Sequence, residues 1–289
     1  MALYPLFAPA KLNLYLHITG RRADGYHDLD SLVAFAGIGD KIRLEPANEF
    51  AFVMEGAQAG FLRNEPMESN LVVKAARSLA KLCDKPLDVK MTLLKLLPVA
   101  SGIGGGSSDA AAALRALAAH WGLPPNDERL YQAAAEHGQD VPVCLKIENN
   151  YITATGTRSA PALPKVGVIL INPKKPLPTP TVYKTFRDGG YDFSPPMPLT
   201  ETPRDTNALI AALRQRGNDL YLPALRLMPE IEQIINALEM TEGCLLARMS
   251  GSGATCFGLY EQQAIAQKAA LTLRDSHPGW WVEASSLPI

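Results

Sequence analysis

From Lys11 to Thr19 the chain alternates without a break. Leu12, Leu14, Leu16 and Ile18 fall on one side, and Lys11, Asn13, Tyr15, His17 and Thr19 on the other. A period of two marks a half-buried strand, and its polar side opens with an ammonium and an amide next to each other. Pro9 precedes this strand and Arg22-Ala23-Asp24-Gly25 closes it as a turn. Further strands are expected over residues 29–36, 41–45 and 50–54. Asn70 opens a helix whose Leu71, Ala75, Leu79 and Leu82 recur at helical spacing and which ends near Asp84. Residues 87–93 alternate again, with Leu87, Val89, Met91 and Leu93 set against Asp88, Lys90 and Thr92. That strand feeds a glycine-rich stretch and then an alanine run, residues 110–119, which is a strong helix former.

Downstream, Pro124-Pro125-Asn126-Asp127 starts a helix running towards His137, and Gly138-Gln139-Asp140-Val141-Pro142 looks like the cap of a short one. Turn residues and two prolines reset the pattern at 156–165. Beyond them lie an apolar strand at 166–171, helices near 181–186, 205–214 and 230–238, and a proline-rich loop at 194–203. Strands at 245–249 and 255–260 flank Ser250-Gly251-Ser252-Gly253, and a helix at 262–274 and a strand at 281–284 finish the chain. Strands and helices mix without regular alternation, so the expected class is α+β in two domains, residues 1–160 and 161–289.

The glycine stretch carries the chemistry. Gly102, Gly104, Gly105 and Gly106 leave few Cβ atoms between Leu97-Pro98 and Ser107-Ser108-Asp109, so the backbone can turn tightly and approach a ligand closely. Ser107 and Ser108 are the expected N-caps of the alanine helix. A glycine loop opening onto a helix N-terminus makes an anion site, because unpaired N–H groups and the helix dipole face the same way. It is not a P-loop, since no lysine precedes the serines, and it is not a dinucleotide fingerprint, since Ser107 stands where glycine or alanine is required. Alone, these residues also allow a tight turn before a closely packed helix. Lys11 also reads as a solvated strand-end charge, Asp140 as an ordinary N-cap and His27 as a satisfied strand-end histidine.

Composition narrows the class. The 289 residues are 47% hydrophobic and 20% charged, and 28 basic against 29 acidic side chains leave a net charge of −1. These are the proportions of a soluble globular protein with no global field for nucleic acid or membrane. Cys83, Cys144, Cys244 and Cys256 have no metal or redox spacing, and no histidine spacing suggests a metal site. With no signal peptide pattern and no membrane-length apolar run, a cytoplasmic enzyme is expected.

Three separated pieces, Pro9-Ala10-Lys11-Leu12-Asn13, the loop from Gly102 to Ser108, and Met249-Ser250-Gly251-Ser252-Gly253-Ala254, together resemble the three motifs of the GHMP kinases, which phosphorylate galactose, homoserine, mevalonate and related alcohols. Arg22-Ala23-Asp24-Gly25-Tyr26-His27, Gly138-Gln139-Asp140-Val141-Pro142 and the stretch from Arg248 to Phe257 resemble the branch whose acceptor is diphosphocytidyl-methylerythritol, in non-mevalonate isoprenoid synthesis. The resemblance implies an N-terminal domain of the ribosomal-protein-S5 domain 2 type, carrying the ATP phosphate loop and the catalytic residues, and a ferredoxin-like C-terminal domain completing the acceptor cleft. It implies Asp140 as catalytic base and Lys11 as its partner on the reacting hydroxyl. ATP would be bound by Asn70, Lys95, Pro98, Ser101, Gly102, Ile103, Gly104, Gly105, Gly106, Ser107 and Ser108. The acceptor would be held by Asn13, Tyr26, His27, Thr179 and Tyr183, with the cytosine stacked between the two tyrosines. Mg²⁺ would enter with ATP, held by phosphate and water rather than by a side-chain cage, with Ser107 the side chain expected to touch it. The implied partners are ATP and the acceptor, with no nucleic acid and no membrane, in a monomer or homodimer. Ser101 departs from the glycine or alanine usual before the glycines, and Val33 stands where an aromatic would line the acceptor pocket. A kinase of another small alcohol and a non-catalytic nucleotide-binding module are the rival readings; the first would not need the aromatic set, and the second would not need both Lys11 and Asp140.

Overall fold

The computed structural model describes residues 5–199 and 201–289. Thr200, in the proline-rich loop expected at 194–203, and residues 1–4 lie outside the description. The chain gathers into two compact units, each built from non-consecutive pieces. One contains the chain up to Ala10 with Gly39–Val99 and Gly104–Ile147; the other contains Lys11–Ile38, Ala100–Ile103 and Glu148–Ile289.

In the first unit, β3 (Ala51–Glu55) and β4 (Val89–Leu94) pair in parallel. Parallel neighbours need a crossover, and α1 (Leu71–Cys83) supplies it. Asn70 caps α1 by accepting the Val72 N–H at 2.9 Å, and Asp84 ends it in a left-handed conformation, as the sequence suggests. The C-terminal part of β2 (His27–Pro46) pairs antiparallel with β4. Two expected strands, 29–36 and 41–45, are thus one long strand.

The alanine helix α2 (Gly105–Trp121) packs against α1, α3 (Glu128–Ala135) and α4 (Asp140–Lys146). Ala110 to Ala113, Leu114, Ala116 and Leu117 are all buried; a helix of small residues touches neighbours on several sides only because their axes can come close. Its N-terminus differs from expectation. Gly104, in the left-handed region at φ 62°, is the N-cap, and no side chain caps the helix. Ser107 and Ser108 lie inside the first turn because the glycines themselves adopt the helix. Asp140 is likewise not a cap: Gln139 holds that position, and Asp140 is the first residue of α4.

In the second unit, a four-stranded antiparallel sheet has the order β10–β7–β9–β8, formed by β7 (Val166–Asn172), β8 (Cys244–Met249), β9 (Cys256–Tyr260) and β10 (Trp281–Leu287). Helices α5 (Thr179–Asp188), α6 (Thr206–Arg214), α7 (Tyr221–Leu227) and α8 (Glu230–Glu239) fall between β7 and β8, and α9 (Gln263–Ser276) joins β9 to β10. Outer strands fourth and second in sequence and central strands first and third give the ferredoxin-like order expected for this half. Ile169, Ile171, Val182, Phe186, Ile231, Ile234 and Leu238 belong to its core. The N-terminal part of β2 pairs with β5 (Asn150–Thr153), which forms a hairpin with β6 (Gly156–Ser159). These two short strands and α7 escape the periodicity because each is too brief to establish one.

Strand β1 (Leu6–Arg21) overturns the expectation of a half-buried strand. Lys11, Asn13, Tyr15 and His17 are as buried as Leu12, Leu14 and Ile18. Alternation here separates two interiors, one apolar and one hydrogen-bonded.

Candidate active site

The first unit holds the helix N-terminus that the glycines open. Gly105 is buried, and a Cβ on it would lie 3.2 Å from Lys95 Nζ, whereas Gly106 is exposed. Neither is in the left-handed region; that strain is taken by Gly102 and Gly104. Beneath the loop, Lys95 donates to Asp40 at 2.5 Å and to Asp109, in the first turn of α2, at 2.7 Å. The other Asp40 oxygen accepts the Leu96 and Leu97 N–H groups at 2.5 and 2.8 Å. All three charged groups are buried. Burial alone would lower the Lys95 ammonium, but the two carboxylates hold it above the ordinary lysine value. Burial raises Asp109 well above the usual carboxylate range, and the neighbouring Asp40 adds to that. Lys95, assigned to the nucleotide from sequence, thus has its ammonium engaged by carboxylates that tie the start of α2 to β2.

Asn70 uses its amide as the α1 cap and also donates to Met54 Sδ at 3.6 Å. Pro98 is buried, and Asp140 is half-buried at the start of α4. Arg115 of α2 holds the far end of α4, donating to the Cys144 carbonyl at 2.8 Å and the Leu145 carbonyl at 3.3 Å, and it also reaches the Phe7 carbonyl at 2.7 Å. Reading the sequence does not single out Arg115, because a lone arginine in an alanine helix has no local signal.

The second unit holds the other part of the loop. Four successive carbonyls, from Ala100 to Ile103, each accept a hydrogen bond. The donors are Leu177 N–H at 3.1 Å, Thr255 N–H at 3.0 Å, the Ser250 hydroxyl at 3.1 Å and Lys11 N–H at 2.9 Å. Lone pairs that would repel an anion are therefore committed elsewhere. Gly102, at φ +74°, lies so close to the Ser250–Gly253 turn that a Cβ would fall 2.6 Å from its backbone atoms.

On β1, Lys11 Nζ donates to Asn13 Oδ1 at 3.3 Å and Asn13 Nδ2 donates to Ser31 Oγ at 2.8 Å. The Asn13 N–H donates to Ser250 Oγ at 3.1 Å. The Lys11/Asn13 pair read from the alternation is thus a real contact, and Ser31 and Ser250 complete it.

Tyr26 is 60% exposed on the turn after β1. His27 stacks on Tyr183 with centroids 5.0 Å apart and meets the Phe186 edge at 6.0 Å, and Phe186 stacks on Tyr191. His27 and Tyr183 are therefore together, as the sequence suggests, though one ring faces the other directly. Thr179 Oγ1 is hydrogen-bonded to Ser252 Oγ at 2.8 Å. Burial first, then Arg21 and Arg187, lower the His27 pKa against a smaller opposing effect of Asp28, and the net shift favours the neutral imidazole. If His27 reads an acceptor edge as a neutral ring, acceptor KM should be flat between about pH 7 and 8. It should rise on acidification below the ordinary histidine range near 6.5, and a His27→Asn variant should lose that acid limb. Steady-state KM measured against pH checks this.

The uncapped helix start that the glycines open is suited to an anion. The match to known proteins gives the family. The model of the GHMP kinases N terminal domain matches residues 70–146, and that of the GHMP kinases C terminal matches residues 199–278. The chain belongs to the GHMP kinases. It is 47% identical over 282 residues to 4-diphosphocytidyl-2-C-methyl-D-erythritol kinase of Rhodospirillum rubrum, covering 97% of this chain and 91% of that protein. It is 46% identical over 289 residues to the enzyme of the same name from Paramagnetospirillum magneticum, covering 99% of each. A crystal structure of 4-(cytidine 5'-diphospho)-2C-methyl-D-erythritol kinase superimposes with a TM-score of 0.80 at 32% identity over the whole of both chains.

Proposed function

We propose that this chain transfers the γ-phosphoryl group of ATP to the 2-hydroxyl of 4-diphosphocytidyl-2-C-methyl-D-erythritol, giving the 2-phosphate and ADP in the non-mevalonate route to isoprenoid precursors. The observation that carries this is 46–47% identity, end to end, to enzymes bearing that name. The site supports it chemically. Phosphoryl transfer is largely positioning and charge stabilisation, and the uncapped start of α2 offers N–H groups to phosphate. Asp140 takes the hydroxyl proton, and Lys11 orients that hydroxyl and offsets developing charge. Asn13, Thr179, Tyr26, His27 and Tyr183 hold the acceptor, the aromatic rings matching its base. Asn70, Lys95, Pro98 and the loop from Ser101 to Ser108 form the nucleotide side.

The residues present fit a magnesium ion that arrives on ATP. Among the described residues no three His, Cys, Asp or Glu gather, while Ser107 is half-buried in the first turn of α2 and the buried Ser108 hydroxyl has no partner. Ser107 would be the side chain that holds the ion, which when bound spreads charge off the phosphates. The division at residues 1–160 and 161–289 is supported by family matches that fall on either side of it. Among the described residues no helix is long and apolar enough to cross a membrane; a cytoplasmic location accords with the proposed reaction.

The test is a transfer assay with Mg·ATP and the diphosphocytidyl acceptor, with methylerythritol phosphate and homoserine as controls. Transfer to the first acceptor alone is expected. Preference for either control would overturn the acceptor assignment.

A further inference from the structure

The geometry points to Ser31 as a positioning residue for phosphoryl transfer: its hydroxyl sets which end of the Asn13 amide faces Lys11. This rests on the proposed role of Lys11. The argument is a count of donors. A serine hydroxyl has one hydrogen, and Ser31 gives it to the Tyr15 carbonyl at 2.6 Å. Only its lone pairs remain for Asn13, so the amide must present its NH₂ there, as it does at 2.8 Å. The carbonyl end is then turned to the Lys11 ammonium, where it accepts at 3.3 Å. With the amide reversed, an NH₂ would face an ammonium and two hydroxyl or amide acceptors would face each other.

No water is needed to settle the orientation. Ser31 is 0% exposed, Asn13 3% and Lys11 4%, and in such an interior each polar group must find its partner in the protein. The Asn13 backbone is fixed separately, its N–H on Ser250 Oγ. Ser31 therefore acts on the amide rotation as well as on the β1 backbone at Tyr15, and removal of Asn13 separates the two. A Lys11 ammonium held by a correctly turned amide keeps its direction and its charge.

Threonine and valine at position 31 have nearly the same shape, but only threonine can pass on the hydrogen. Ser31→Thr should keep kcat within about threefold of the parent, and Ser31→Val should lower it about tenfold or more, with ATP KM alike in both. In an Asn13→Ala background the Thr/Val difference should vanish. Equal kcat for the two folded variants overturns the inference, and so does a difference that survives removal of Asn13. Should the added methyl prevent folding, Ser31→Ala adds no volume; it must show the same kcat loss in the parent and none in the Asn13→Ala background, or the inference fails. Lys11→Met separates the layers. If it leaves kcat unchanged, the proposed role of Lys11 is wrong; if it abolishes turnover while position 31 is silent, only the Ser31 inference falls.

Discussion

Replacing Asp140 by asparagine should lower kcat by about two orders of magnitude or more, while the KM values for ATP and acceptor stay within a few-fold. The amide keeps the size and much of the hydrogen bonding but cannot take a proton from a tertiary alcohol, a poor nucleophile until deprotonated. The structure removes the competing explanation. Were Asp140 only the cap of α4, asparagine would serve equally and activity would survive. Gln139 is the cap and Asp140 the first helical residue. A charge there also interacts favourably with the helix dipole, by about 0.3–1 kcal/mol. A folded variant with near-parental kcat would take Asp140 out of the chemistry; single-turnover kinetics with thermal melting makes the distinction.

The second large effect is expected at Gly104. Its φ of 62° is one that side chains rarely adopt. A valine there strains the turn that sets the direction of α2, and ATP KM should rise about tenfold or more, with acceptor KM changed far less. Gly106→Ala should cost distinctly less, because Gly106 is exposed, its φ is ordinary, and a Cβ would meet only Leu71 Cδ1 at 3.5 Å. The order of the two effects is the test. Equal ATP KM values for both variants would mean that the left-handed turn has no part in nucleotide binding.

Much of this arrangement is legible in the sequence because it is written locally. The glycine run, the Asn70 cap and the apolar β7 each depend on neighbours within a few residues. What the sequence hides is set by partners far along the chain. The alternation of β1 announces a strand, but distant partners such as Ser31, Asp30 and Ser250 explain why its polar side is as dry as its apolar side. Likewise Ser107 looks like a cap until Gly104 takes that position. Nothing near Lys95 in sequence reveals that Asp40 engages its ammonium. Arg115 gives no signal because its acceptors are main-chain carbonyls, which every residue has.

The uncapped start of α2 has a consequence for isotope exchange. No side chain caps its first three N–H groups, so those amides should trade hydrogen for deuterium from the native state, without waiting for the domain to open. A few residues on, the amides of Ala111 to Leu114 sit in a fully packed interior and should exchange only through global unfolding. One helix would thus hold the fastest and slowest amides of its region. Nucleotide bound there as proposed should slow the fast set directly and the slow set only by its binding free energy. Exchange along α2 therefore reads phosphate occupancy and fold stability in a single experiment, without any chemistry taking place.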